Sequence, residues 1–147
     1  MYARIFVGVD ASAHAQRALS HAVALAKGTG AVLRVGHVVE MGWLPLAPEL
    51  GVNIEKVAAS RLAEGEKLLA AAVQLARTHG VEAQPRLVET AAPAQRTAVA
   101  LVEDAESWPA DLIVVGARGL GAMERLLLGS VAEGVARRST IPVLLVH

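Results

Sequence analysis

The sequence predicts an α/β fold in which a parallel sheet is covered by helices on both faces, and three observations carry that expectation. Short apolar stretches recur along the chain at Ile5–Val9, Ala31–Val39, Val81–Glu89, Asp111–Val115 and Pro142–Val146. Between them, apolar residues return every three or four positions, the period of an amphipathic helix. The run Asp111-Leu-Ile-Val-Val115 is β-branched and does not alternate, so both of its faces must be buried. Composition agrees: 54% of the 147 residues are apolar but only 3% are aromatic, so Ala, Val, Leu and Ile must build a closely packed core. A chain of this size suits a single domain, residues 1–147, and no internal repeat, low-complexity tract or linker divides it.

Each element has its own signal. Ile5-Phe-Val-Gly-Val9 reads as a buried first strand closed by Asp10. Ser12 is placed to cap a helix whose stripe of Ala15, Ala18, Leu19, Ala22, Val23 and Ala26 faces inward, and Gly28 and Gly30 stop it. Ala31–Val39 is a second strand, apolar apart from Arg34 and His37. Residues 40–53 read as a loop, with Pro45 and Pro48 beside an apolar Trp43, Leu44, Leu46 and Leu50. A long helix over Ile54–Thr78 follows and ends at Gly80; Gly65 on its apolar side marks a close crossing over the sheet. Its charges, Lys56, Arg61, Glu64 and Lys67 among them, are read as solvating the outer face. Val81–Glu89 is a third, more polar strand. A third helix is expected from Pro93, carrying Ala94, Ala98, Leu101, Val102 and Ala105, and Ser107-Trp-Pro109 breaks it. The strand Asp111–Val115, a glycine-rich loop, a helix over Val131–Arg138 and a strand over Pro142–Val146 complete the chain.

Several functions are disfavoured at once. Fourteen basic and fourteen acidic residues leave no net charge, which argues against a nucleic-acid partner. There is no cysteine, so disulfide and thiol chemistry are excluded and a cytoplasmic location is expected. Ile5–Val9 is too short for a signal-peptide core, and no stretch approaches the ~20 apolar residues of a membrane span. His14 and His21 lie seven apart on one helix without a further ligand, so no metal site is expected there. No Gly-Lys-Ser/Thr occurs, which excludes a P-loop. Gly116-x2-Gly119-x-Gly121 faintly resembles a dinucleotide fingerprint but follows the wrong strand.

The informative stretch runs from Gly116 to Ser130. Gly116 and Gly119 follow the fourth strand, where glycine allows close backbone approach or a positive φ. Gly129 and Ser130 stand where the last helix begins, so free N–H groups and one hydroxyl face an anion, most simply a phosphate. A glycine-stiffened turn with a capping serine is the plainer alternative for Gly129-Ser130 alone. In an open parallel sheet a ligand sits at the carboxyl ends of strands, where Asp10, Val38-Val39 and Gly116 lie.

The spacing Gly116-x2-Gly119-x9-Gly129-Ser130 resembles the nucleotide motif of the universal stress protein family, in its ATP-binding branch. The similarity runs from Arg4-Ile-Phe-Val-Gly-Val-Asp10 to Ile141-Pro-Val-Leu-Leu-Val146. It implies an open, Rossmann-like sheet of order 3-2-1-4-5, with Asp10 brought beside Gly116. It places Asp10 at the ribose, the Val38 backbone at the adenine edge, and Gly116, Gly119, Gly129, Ser130 and the Val131 amide around the phosphates. Arg118 lies inside the loop, either reaching a phosphate or solvated. Ala11 and Thr90-Ala91-Ala92 depart from the glycines many members carry there. The resemblance implies a regulatory module that holds ATP (or AMP or ADP) with Mg²⁺ bridging phosphates. A slow ATPase or other nucleotide hydrolase, and a structural dimer with an empty pocket, are the alternatives. No catalytic base stands out beyond Asp10. A homodimer joined through the C-terminal strand is expected, because that strand is an uncharged apolar edge. Trp43 is expected near the base.

Overall fold

The computed structural model describes residues 1–41, 53–90, 92, 95–119 and 128–147. Strands β1 (Arg4–Gly8), β2 (Val32–Glu40), β3 (Ala83–Thr90), β4 (Leu112–Gly116) and β5 (Val143–Val146) form one sheet in the order β3-β2-β1-β4-β5. Every pairing is parallel, so each strand must be linked to the next by a crossover. The crossovers contain α1 (Ala13–Thr29), α2 (Ile54–Thr78), α3 (Thr97–Ser107) and α4 (Ser130–Arg138).

The pleat divides the core in two. Ile5, Val7, Leu33, Val35, Leu112 and Val114 face α1 and α2, whereas Phe6, Val38, Ile113 and Val115 face α3 and α4. This explains why β1 beyond Arg4 and all of β4 carry no polar side chain. Small residues let the layers approach closely. A Cβ built on Gly36 would lie 2.4 Å from Cζ of Phe6, so the ring on β1 occupies the space that glycine leaves on β2. At Gly65 a Cβ would meet Leu87 at 2.8 Å and His37 at 3.0 Å, which places the α2 crossing where the sequence put it.

The polar residues of β2 are accommodated individually. Arg34 stacks on Trp108 with its guanidinium carbon 4.5 Å from the ring centroid, and donates to Gln84 Oε1. Burial lowers the Arg34 pKa, and the carboxylate of Asp104 opposes that shift. His37 Nδ1 lies 2.8 Å from the Val9 carbonyl oxygen.

Caps set the helix boundaries. Ser12 Oγ accepts from Ala15 N, and Asn53 Oδ1 accepts from Lys56 N, each at 3.1 Å. Gly30 ends α1 in the left-handed region at φ 72. Two starts differ from expectation. α4 begins with Ser130 as its first helical residue and Gly129 as the cap, so the serine is not the capping group. α3 begins at Thr97 rather than near Pro93, which with Ala94 lies outside the described residues. The physical reason is an external cap: Thr97 N and Oγ1 both donate to Glu40 Oε1 at 2.9 Å. Among the described residues no helix is long and apolar enough to cross a membrane.

The packing at Gly36 is tested by a pair of substitutions. Gly36→Ala must displace the buried Phe6 ring and is expected to cost about 1–3 kcal/mol. Gly28→Ala, where nothing lies within 4 Å of an added Cβ, is expected to gain up to about 1 kcal/mol by removing backbone freedom from α1. Denaturant unfolding of both variants measures the two signs.

Candidate functional site

β1 sits between β2 and β4. The segment after β1 turns onto the face of α1, while the segment after β4 leads to α4 on the opposite face, so a cleft opens at their carboxyl ends. The cleft has two compartments. A narrow one, about 50 Å³, is lined by Asp10, Thr97, Gly116, Arg118, Gly119 and Val131 among others. A larger one, about 980 Å³, extends past His37, Val38 and Glu40 to Lys56, Arg61 and Glu64 on α2. Asp10 and Thr97 line both and mark where they join. A separate groove of about 510 Å³ lies between α2 and β3, away from this cleft.

Asp10 is held by its own turn. Ser12 N donates to its Oδ1 at 2.8 Å, leaving Oδ2 facing Gly119, where an added Cβ would come within 2.9 Å of it. Gly119 therefore lets the loop after β4 lie against the carboxylate. Gly116 has a different reason from the one expected. Its Cβ would meet the His14 carbonyl carbon at 2.8 Å and Ala15 N at 3.0 Å, so it serves the packing of β4 against the first turn of α1. Nor does it need a positive φ: among the described residues only Gly30 and Gly80 have one.

Gly129 is likewise internal. Its N–H donates to the Ala117 carbonyl at 2.7 Å, and a Cβ would lie 3.2 Å from Arg118 Cα and 3.3 Å from Gly119 N. It clamps the 117–119 loop to the start of α4. Among the described residues that start carries no side-chain cap, so the positive end of the helix dipole faces the narrow compartment lined by Val131. Arg118 Nε is buried and has no hydrogen-bond partner among the described residues. An uncapped helix start beside an unpartnered guanidinium N–H favours an anion.

Of the residues singled out in the sequence, Asp10, Gly116, Arg118, Gly119 and Val131 converge on the narrow compartment, and Val38 lines the larger one at 8% exposure. Gly129 stands behind the loop, and Ser130 is exposed at the first position of α4. Trp43 lies outside the described residues. Lys56, Arg61 and Glu64 are exposed as expected, but the surface they cover is a wall of the cleft. Glu40, Thr97 and His37 were missed. Glu40 ends β2, so the strand-end rule signalled it. Thr97 was hidden by a helix expected to start earlier.

Among the described residues no group of three or more His, Asp or Glu could hold a metal ion. The arrangement suits an organic phosphate: an anion at α4, hydroxyls at carboxylates, and a flat apolar group in the larger compartment.

Comparisons agree with this reading of the fold. The family model described as the Universal stress protein family matches residues 1–147. A universal stress protein of Thermus aquaticus is 38% identical over 148 residues, covering 100% of each chain. A solved universal stress protein in complex with cAMP is 30% identical, with a TM-score of 0.75 over 99% of this chain and 97% of that one. Another, from Archaeoglobus fulgidus in complex with dAMP, is 26% identical, with a TM-score of 0.72 over 99% and 98%. With the family match spanning its whole length and relatives aligned end to end, the chain belongs to the universal stress protein family.

Proposed function

We propose that this protein is a regulatory nucleotide-binding module of the cytoplasm that holds ATP, or the related AMP or ADP, and acts as a homodimer. The observation that carries the nucleotide reading is the uncapped start of α4 facing the 117–119 loop, with the buried Arg118 Nε beside it. The relatives solved with cAMP and dAMP favour an adenine nucleotide. The α-to-γ phosphates lie at α4, held by main-chain N–H groups and Arg118. Asp10 accepts from the sugar, and the backbone around Val38 meets the base. Mg²⁺ would enter with ATP and neutralise charge on its phosphates. Rapid hydrolysis requires an oriented water and charge neutralisation at the γ-phosphate. Among the described residues Asp10 is the carboxylate that lines the narrow compartment, and Ser12 N already holds one of its oxygens. A holding function suits that geometry better than turnover.

β5 supports the dimer. It pairs only with β4 among the described residues, and Val143, Leu144 and Leu145 are each half-buried despite their apolar character. An apolar edge with open N–H and C=O groups favours pairing with a second copy, here antiparallel across a two-fold axis.

Calorimetry tests the binding. Gly129→Val should lose ATP binding while remaining folded, because its side chain displaces the backbone of the 117–119 loop. Ser130→Ala should cost less, about 0.5–1.5 kcal/mol, the loss of one hydrogen bond at an exposed position. Equal ATP affinity in wild type and a folded Gly129→Val variant would reject the site.

Sedimentation tests the assembly. The wild type should run as a dimer at micromolar concentration, and Leu145→Lys, on the α3/α4 face with Val143, should weaken it more than Leu144→Lys on the other face. A monomeric wild type would refute the dimer.

A further inference from the structure

Helices α3 and α4 both begin at the cleft, and their first turns are satisfied differently. α4 starts without a side-chain cap. α3 also lacks a cap of its own, since Arg96 provides none, yet Thr97 N and Oγ1 both donate to Glu40 Oε1 at 2.9 Å. A carboxylate from the end of β2 thus occupies the place where the positive end of α3 would otherwise attract an anion. Of the helix starts that line the cleft, those of α1 and α2 are capped by their own Ser12 and Asn53 and that of α3 by Glu40, and among the described residues only that of α4 is left without a side-chain cap.

The connectivity of a nucleotide then locates its sugar. The narrow compartment lies at α4, the larger one has room for a base, and the two join at Asp10 and Thr97. A 5′-nucleotide with phosphates in the first and base in the second must place its ribose at that junction; this step rests on the nucleotide reading above. Asp10, whose Oδ1 already accepts from Ser12 N, lines both compartments, and Glu40, held on Thr97, lines the larger one beside the junction together with His37. Ionised carboxylates accept from hydroxyls and offer no donor, and they repel a phosphate. Lys56 and Arg61 also line the larger compartment, as does Glu64, but all three are exposed on the α2 wall, where solvent and salt screen their charges.

We infer that Glu40 is a specificity-determining residue of the cleft: it admits a ribose whose hydroxyls bear no additional phosphate and rejects 5′-nucleotides that carry a second, terminal phosphate on the 2′ or 3′ position. The selection is by repulsion, and it acts on a part of the ligand that the glycine motif does not touch.

Calorimetry with AMP, adenosine 2′,5′-bisphosphate and adenosine 3′,5′-bisphosphate tests this directly. Wild type should bind each bisphosphate about tenfold or more weakly than AMP. Glu40→Gln keeps an oxygen to accept from Thr97 but removes the charge, and should narrow that gap several-fold for at least one isomer. Raising the salt concentration should narrow it in the wild type as well, which gives a measure independent of the variant's folding. Wild type that binds AMP and both bisphosphates alike, a folded Glu40→Gln variant as selective as wild type, or selectivity indifferent to salt would each overturn the role of Glu40. Wild type that binds none of the three would instead overturn the nucleotide reading, and this inference with it.

Discussion

The parallel pairing of β1 on both its edges is the constraint from which the cleft follows. With β2 on one side and β4 on the other, the chain cannot leave β1 by a hairpin and must climb onto a face of the sheet. It takes the α1 face after β1 and reaches the α4 face after β4. Asp10 and the 117–119 loop are therefore left as neighbours across a gap that neither helix covers. The ladder continues a little past the strands and stiffens both rims: Val9 N donates to the Gly36 carbonyl at 2.9 Å, and Ala117 N to the Val146 carbonyl at 2.7 Å. The site is thus set by backbone geometry before any side chain contributes.

Small residues then decide how closely the layers sit. A core with a single phenylalanine depends on backbone approach rather than on bulky side chains, and Gly36 beneath Phe6 is the tightest instance. The same logic reaches into the glycine motif. Gly116 accommodates the first turn of α1, and Gly129 accommodates the loop that precedes it, so part of the motif preserves the shape of the cleft instead of touching what lies within it. Gly119, which lines the narrow compartment with Gly116, has Asp10 Oδ2 close to where its Cβ would be.

Much of this was legible in the sequence, because the signals were local. The stripe on α1, the stop at Gly30, the full extent of α2 and the uninterrupted apolar run of β4 each depend on residues within a few positions of one another. The start of α3 was not legible, because its cap comes from Glu40, 57 residues earlier in the chain. Periodicity extended the helix backwards through Ala94, and nothing nearby in sequence announced that Thr97 would find a carboxylate. That one side of α2 walls the cleft was missed for a related reason. Lys56, Arg61 and Glu64 look the same whether they face bulk water or a wide cleft, since both leave them solvated. Ser130 reads as a cap by type, yet it stands one position inside the helix, where its hydroxyl is exposed.

Helix α3 is fastened to the sheet at both ends. At its start, Glu40 at the end of β2 grips Thr97; towards its end, Arg86 of β3 pairs with Asp104 at 2.8 Å, and Arg34 of β2 stacks on Trp108, the capping residue. A short helix pinned in this way behaves as a stiff beam with clamps of unequal strength. The clamp at the cleft depends on one carboxylate oxygen, whereas the distal clamp combines an ion pair, a stacked ring and a half-buried guanidinium. Because Ala98, Leu101, Val102 and Ala105 are buried along the helix, a disturbance that loosens Glu40 would free mainly its first turn. The displacement would then be largest at the mouth of the cleft and smallest at the indole, so the opposite end of the molecule keeps its surface unchanged while the cleft alters its own.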